Sequence, residues 1–132
     1  MRVFKTKLIR LQLTEKELAA LTADFISYKR DGILPDIFRR DAAYDSPYTW
    51  PLVKSERVAH IHLASAEKPF PPQLRQFNRT NDEAHLVYCQ GAFDEQAWLL
   101  IAILKPQPHQ QACDNNQMQK IGKMAEAFRM RF

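Results

Sequence analysis

Two of the chain's four histidines stand one residue apart in Arg57-Val58-Ala59-His60-Ile61-His62-Leu63. The stretch alternates polar and apolar as a half-buried strand does. With a period of two, Ala59, Ile61 and Leu63 share one face, while Val58, His60 and His62 share the other. A strand that turns its aliphatic side to a core therefore presents two imidazoles on the opposite side. Downstream, Arg75-Gln76-Phe77-Asn78-Arg79 brings two guanidiniums beside an aromatic, and His85-Leu86-Val87-Tyr88 brings a third imidazole.

Metal-free cleavage of an RNA phosphodiester needs residues of these types. It takes a base for the 2′-hydroxyl, an acid for the leaving 5′-oxygen and fixed positive charge for the pentavalent phosphorane. Histidine, with an ordinary pKa near 6.5, suits the first two roles and arginine the third. Guanidinium forks match phosphate geometry, and Phe77 between Arg75 and Arg79 suits an unpaired base. The candidate catalytic set is His60, His62, Arg75, Arg79 and His85. The plain alternative is a set of ordinary strand histidines and solvated arginines.

Other chemistries fit less well. His-x-His on one strand face is also a metal pair. Here no Glu, Asp or Cys stands at a recurring ligand distance and several arginines would repel a cation, so no metal or cofactor is expected. Cys89 falls inside a strand pattern, as a small apolar residue would, rather than as an activated nucleophile. The three glycines are not clustered, so there is no phosphate-cradling loop.

A chain of 132 residues, 45% of them hydrophobic, is one globular domain spanning 1–132. Its longest apolar run, Ala97 to Leu104, is far too short to cross a bilayer, and the N-terminus lacks a secretory pattern. A cytoplasmic, reduced protein is expected, with no membrane partner. A net charge of +4 and a pI near 9.2 are compatible with a polyanionic partner.

The elements that must carry these residues can be read in order. Arg2 to Arg10 alternates as a first strand. Thr14 and Glu17 form a capping box ahead of a helix whose stripe is Leu18, Leu21, Phe25 and Tyr28 and whose end is Gly32. Pro35 fits the first position of a short helical turn over 33–39. From Asp41 to Ser55 the chain reads as a loop whose aromatics, Tyr44, Tyr48 and Trp50, either cover one end of the core or stack on a base. Pro69, Pro71 and Pro72 mark an extended connector. His85 to Gln90 and Trp98 to Lys105 are two further strands, the latter apolar on both faces. A last helix starts at an Asp114 cap and carries Met118, Ile121, Ala125 and Phe128 on one stripe. The order predicts an α+β domain: a small antiparallel sheet with helices packed on one face, leaving the His60/His62 face uncovered.

Several long stretches resemble the YafO family of toxins from bacterial type II toxin–antitoxin systems. They are the opening Met1 to Arg10, Phe70 to Phe77, Thr80 to Trp98 and the closing Lys120 to Phe132. The resemblance runs end to end. It implies a ribosome-dependent mRNA endonuclease that inhibits translation and is held in check by a co-expressed antitoxin. It also implies kinship with the wider RelE-like toxins and their small sheet-plus-helices fold. The partners so implied are mRNA, the ribosome and the antitoxin. A non-catalytic binder of the ribosome or RNA is the alternative. RelE-like toxins vary their catalytic residues, and this chain lacks the paired lysines that some of them use. The resemblance therefore does not say which histidine is base and which is acid.

Overall fold

The computed structural model describes residues 1–64, 84–105 and 108–132. The elements run β1 (Arg2–Lys5), α1 (Lys7–Gln12), α2 (Glu15–Asp31), β2 (Phe38–Ala43), α3 (Pro51–Ser55), β3 (Ala59–Leu63), β4 (Ala84–Gln90), β5 (Ala97–Leu104), α4 (Pro108–Ala112) and α5 (Asn115–Arg131). Five strands form one sheet in the order β1-β5-β4-β3-β2. The class is α+β, as the sequence predicts.

Two features of the layering differ from the expectation. The sheet is mixed, because β1 lies parallel to β5 while the other pairs are antiparallel. Helices also cover both faces instead of one. On the first face, Ile9 of α1 and Leu18, Leu21 and Phe25 of α2 pack on Phe38, Ile61, Leu86, Tyr88, Leu100 and Ile103. On the second, Met118, Ile121, Ala125 and Phe128 of α5 pack on Val58, Val87, Cys89, Leu99 and Ile101. The physical reason lies in β5, whose side chains are apolar in both directions and would leave one row wet under a single helical layer.

Local chemistry explains the boundaries. The strand expected over Arg2 to Arg10 stops at Lys5, because Thr6 caps α1 by accepting from the Ile9 N–H, and its hydroxyl donates to the Ile101 carbonyl. Gln12 then takes over as edge partner of β5. Its amide donates to the Ile103 carbonyl at 2.8 Å and accepts from the Ile103 N–H at 2.7 Å. The Thr14–Glu17 capping box is present, and Gly32 closes α2 at φ 71°, the left-handed region that glycine enters without strain.

Over 33–39 only a single turn forms, closed by the Phe38 N–H donating to the Pro35 carbonyl at 3.0 Å, before β2 begins at Phe38. The expected loop from Asp41 to Ser55 holds the end of β2 and the short α3. Phe38-Arg39-Arg40-Asp41-Ala42-Ala43 does not alternate, so strand pairing with β3 decides its conformation. A register shift between Phe38 and Asp41 interrupts that pairing. Arg75, Arg79, Phe77 and the proline-rich connector lie outside the described residues.

Candidate active site

Strand pairing assembles the site. β3 and β4 are antiparallel with His62 directly opposite His85 and His60 opposite Val87, so all three imidazoles leave the sheet on one side. Their ring centroids are 5.0 Å apart for His60 and His62, 4.4 Å for His60 and His85, and 4.4 Å for His62 and His85. The parity predicted for β3 holds, since Ile61 joins the opposite core and Val58 shares the histidine side. The predicted exposure does not. His60, His62 and His85 keep only 8%, 3% and 1% of their surface, because the second core continues along their face and Tyr44 closes over them.

β2 brings that cover. Ala42 sits opposite His60, and beyond it the Tyr44 N–H donates to the Val58 carbonyl at 3.3 Å. The small side chain of Ala42 shares the His60 face, and the Tyr44 ring lies against His60 with centroids 4.1 Å apart and planes 19° from parallel. Its hydroxyl lies 3.2 Å from Nδ1 of His85. Burial pushes the Tyr44 phenol well above its usual range, so it remains a neutral hydrogen-bonding group.

The strand is fixed from the opposite face. Asp41 accepts from the Tyr28 hydroxyl at 3.0 Å, the Lys29 ammonium at 2.8 Å and the Tyr88 hydroxyl at 2.6 Å. Burial and the Asp41 carboxylate push the Tyr28 phenol up to about 12 and drive the Tyr88 phenol upward as well. Both hydroxyls therefore stay donors and tie β2 to α2 and β4.

The three rings border a cleft of about 620 Å³, lined also by Arg40, Tyr44, Asp45, Tyr48, Cys113 and Asn115. Cationic Arg40 beside buried imidazoles offers both proton transfer and charge stabilisation. The three loop aromatics divide by role. Tyr44 and Trp50 pack against the second core, the Trp50 indole N–H donating to the Gln119 side chain, while Tyr48 is almost fully exposed at the rim.

Of the predicted set, the structure brings His60, His62 and His85 together, and Arg75 and Arg79 lie outside the described residues. Arg40 escaped the sequence reading because β2 carries no alternating pattern. Tyr44 was visible there only as one of three loop aromatics. Cys89 is buried, and loss of solvent pushes its thiol up to about 12, which agrees with the expectation of an inert cysteine.

The model for the toxin YafO of type II toxin–antitoxin systems matches residues 26–130 of this chain. The chain belongs to the YafO toxin family. The mRNA interferase toxin YafO of Escherichia coli (strain K12) is 84% identical over 132 residues, which covers the whole of both chains. No solved structure matches the chain. The three-histidine cleft thus sits in a type II toxin, and β3, β4 and all of α5 but its last residue fall within the matched region.

Proposed function

We propose that this YafO-family toxin is an mRNA interferase that cuts messages held in the ribosome and so stops translation. The observation that carries this reading is the packing of three imidazoles along one wall of a cleft beside Arg40. The full-length likeness to a protein named mRNA interferase toxin supports it.

The cleavage needs proton transfers and charge stabilisation. One imidazole accepts the proton of the 2′-hydroxyl as that oxygen attacks the adjacent phosphorus. A second donates a proton to the departing 5′-oxygen, and the products are a 2′,3′-cyclic phosphate and a free 5′-hydroxyl. The three rings supply both roles within a few ångströms of one another. Arg40 on the cleft wall, with Arg75 and Arg79, supplies positive charge for the phosphorane. Tyr44 acts as a positioning residue, fixing the His60 plane by stacking and His85 through its hydroxyl.

Dependence on the ribosome follows from the entropy of the substrate. In-line attack requires a flexible backbone to be held in one uncommon geometry, and ordering it in advance lowers the barrier by several kcal/mol. A chain of net charge +4 has little basic surface with which to do this alone. The ribosome holds the message, and the toxin contributes acid, base and charge. The place of action is accordingly the cytoplasm, and the regulating partner is a cognate antitoxin.

Primer extension tests the reading, using the purified toxin with naked mRNA and with ribosomes programmed by the same message. Cuts confined to the programmed ribosomes are expected. Stalled but intact message would mean a non-catalytic binder, and equal cutting of both substrates would mean a self-sufficient ribonuclease.

A further inference from the structure

The arrangement that suits proton transfer also fits a metal ion. His60, His62 and His85 each offer one ring nitrogen, and these three atoms all lie within 4.8 Å of one another. A tetrahedral zinc ion with nitrogen ligands at 2.0–2.1 Å holds its nitrogens about 3.3 Å apart. Small side-chain rotations close the difference, since two ligands come from alternate positions of one strand and the third from directly across on the next. Three imidazoles with a fourth, open position is a donor set that zinc favours. The cleft leaves the space for that fourth position.

Two further observations point the same way. The Tyr44 hydroxyl meets Nδ1 of His85, the kind of outer contact that fixes the orientation of a ligating imidazole. The trio is also nearly inaccessible, so an ion bound there would be shielded from competing water on most sides.

We propose that His60, His62 and His85 bind one zinc ion and that its binding silences the toxin. The inference rests on the trio being the reactive centre. A nitrogen whose lone pair ligates zinc can neither accept the 2′-hydroxyl proton nor carry one to the 5′-oxygen, so the ion and the reaction compete for the same atoms. Arg40 on the cleft wall disfavours a cation, which keeps the site reversible.

Co²⁺ is the probe for binding. Apoprotein is titrated with Co²⁺ while the visible absorption of a tetrahedral centre is followed, and Zn²⁺ is then added in competition. Saturation at one ion per chain and displacement by Zn²⁺ are expected. His62→Gln and His85→Gln should abolish saturable binding, whereas Cys113→Ser should retain it. Imidazole ¹⁵N spectra of the unaltered protein keep the test independent of how the variants fold: three of the four histidine rings should shift with one equivalent of Zn²⁺. Absence of saturation, or the same spectrum in the histidine variants, overturns the site.

Silencing is read on programmed ribosomes with a chelator that takes zinc and leaves magnesium. Chelated toxin should cut, stoichiometric Zn²⁺ should suppress cutting, and more chelator should restore it. Full cutting by zinc-loaded toxin, or loss of cutting on chelation, overturns the silencing. If chelated toxin fails to cut while the Co²⁺ and ¹⁵N results hold, the proposed reaction is wrong and the metal site stands.

Discussion

Tyr44 lies flat against His60, ring centroids 4.1 Å apart, so a residue from the end of the edge strand sets the plane of a ring on its neighbour. The same side chain reaches His85 with its hydroxyl at 3.2 Å. Tyr44→Phe keeps the stack and removes the polar contact. Single-turnover cutting on ribosomes should fall about tenfold, as for other outer partners of functional histidines, while the melting temperature stays near that of the parent. Tyr44→Ala removes the ring as well and should destabilise the fold by about 3 kcal/mol. Unchanged cutting by Tyr44→Phe would deny the hydroxyl a role.

The imidazoles should dominate the rate. Replacing His60, His62 or His85 with Gln removes a proton-transfer group while keeping a polar side chain of similar reach, and cutting should fall by about 10²–10⁴-fold. Growth arrest on induction gives a second measure. A His60/His62 double variant expressed at normal levels that still arrests growth would sink the assignment.

Arginine geometry separates phosphate binding from bulk charge. Arg79→Lys keeps the charge and loses the fork, so cutting should remain impaired, by up to about 10²-fold if the guanidinium meets the developing charge. Arg75→Lys should show a smaller loss. Wild-type rates in both would make them solvated side chains and leave Arg40 to supply the charge.

Much of this site was legible before the fold was known, and the reason is periodicity. The parity of Ala59 to Leu63 correctly put His60 and His62 on one side, and the α2 capping box fixed that helix to the residue. His85 was named from its own strand, but its place opposite His62 is a matter of register, which local pattern does not encode. The burial of the trio was missed for a related reason. The two-sided apolar character of β5 implied cover on both faces, and that cover runs on over the histidine side. β2 was not seen at all, because Phe38 to Ala43 owes its extended form to pairing and to the Asp41 anchor rather than to an alternating pattern. With β2 went Arg40 and the role of Tyr44.

The α2 capping box gives a pH-dependent prediction. Hydrogen bonds from the Thr14 backbone and hydroxyl hold the Glu17 carboxyl below its ordinary 4.5. A carboxyl lowered in the folded state stabilises it fully above that ordinary value, and the contribution is lost as pH falls through the folded value. Thr14→Ala should cost about 1 kcal/mol near neutrality through the lost cap. Part of the difference from the parent should vanish on acidification below 4.5, because the protonated Glu17 no longer gains from the box. Urea melts at neutral pH and at pH about 3 measure it, and a gap that widens in acid would contradict the capping role.

An antitoxin could silence this toxin by covering the cleft or by pulling α5 away, and the packing favours the cleft. Removing α5 would expose Met118, Ile121, Ala125 and Phe128 together with the sheet beneath them. Each large apolar side chain contributes about 1.5–3 kcal/mol when buried, so displacement would cost a substantial share of the stability of a small domain. The helix is also held at close quarters: a Cβ on Gly122 would lie 2.9 Å from Cγ of Leu52. Its far end is pinned by the Phe132 carbonyl, which accepts from the N–H groups of Phe93 at 2.9 Å and Asp94 at 2.6 Å. Of the charge on that helix, Arg129 already pairs with Glu56 at 3.3 Å and Lys123 with Glu126 at 3.7 Å. Covering the cleft needs no such disruption, and Arg40 and the exposed Tyr48 stand at its wall and rim as ready contacts. Hydrogen exchange on the toxin–antitoxin complex should therefore show new protection over Arg40 to Thr49 and in β3, with the amides of Met118 to Phe128 as slow as in the free toxin. Faster exchange in that helix on binding would mean that the antitoxin works by displacement.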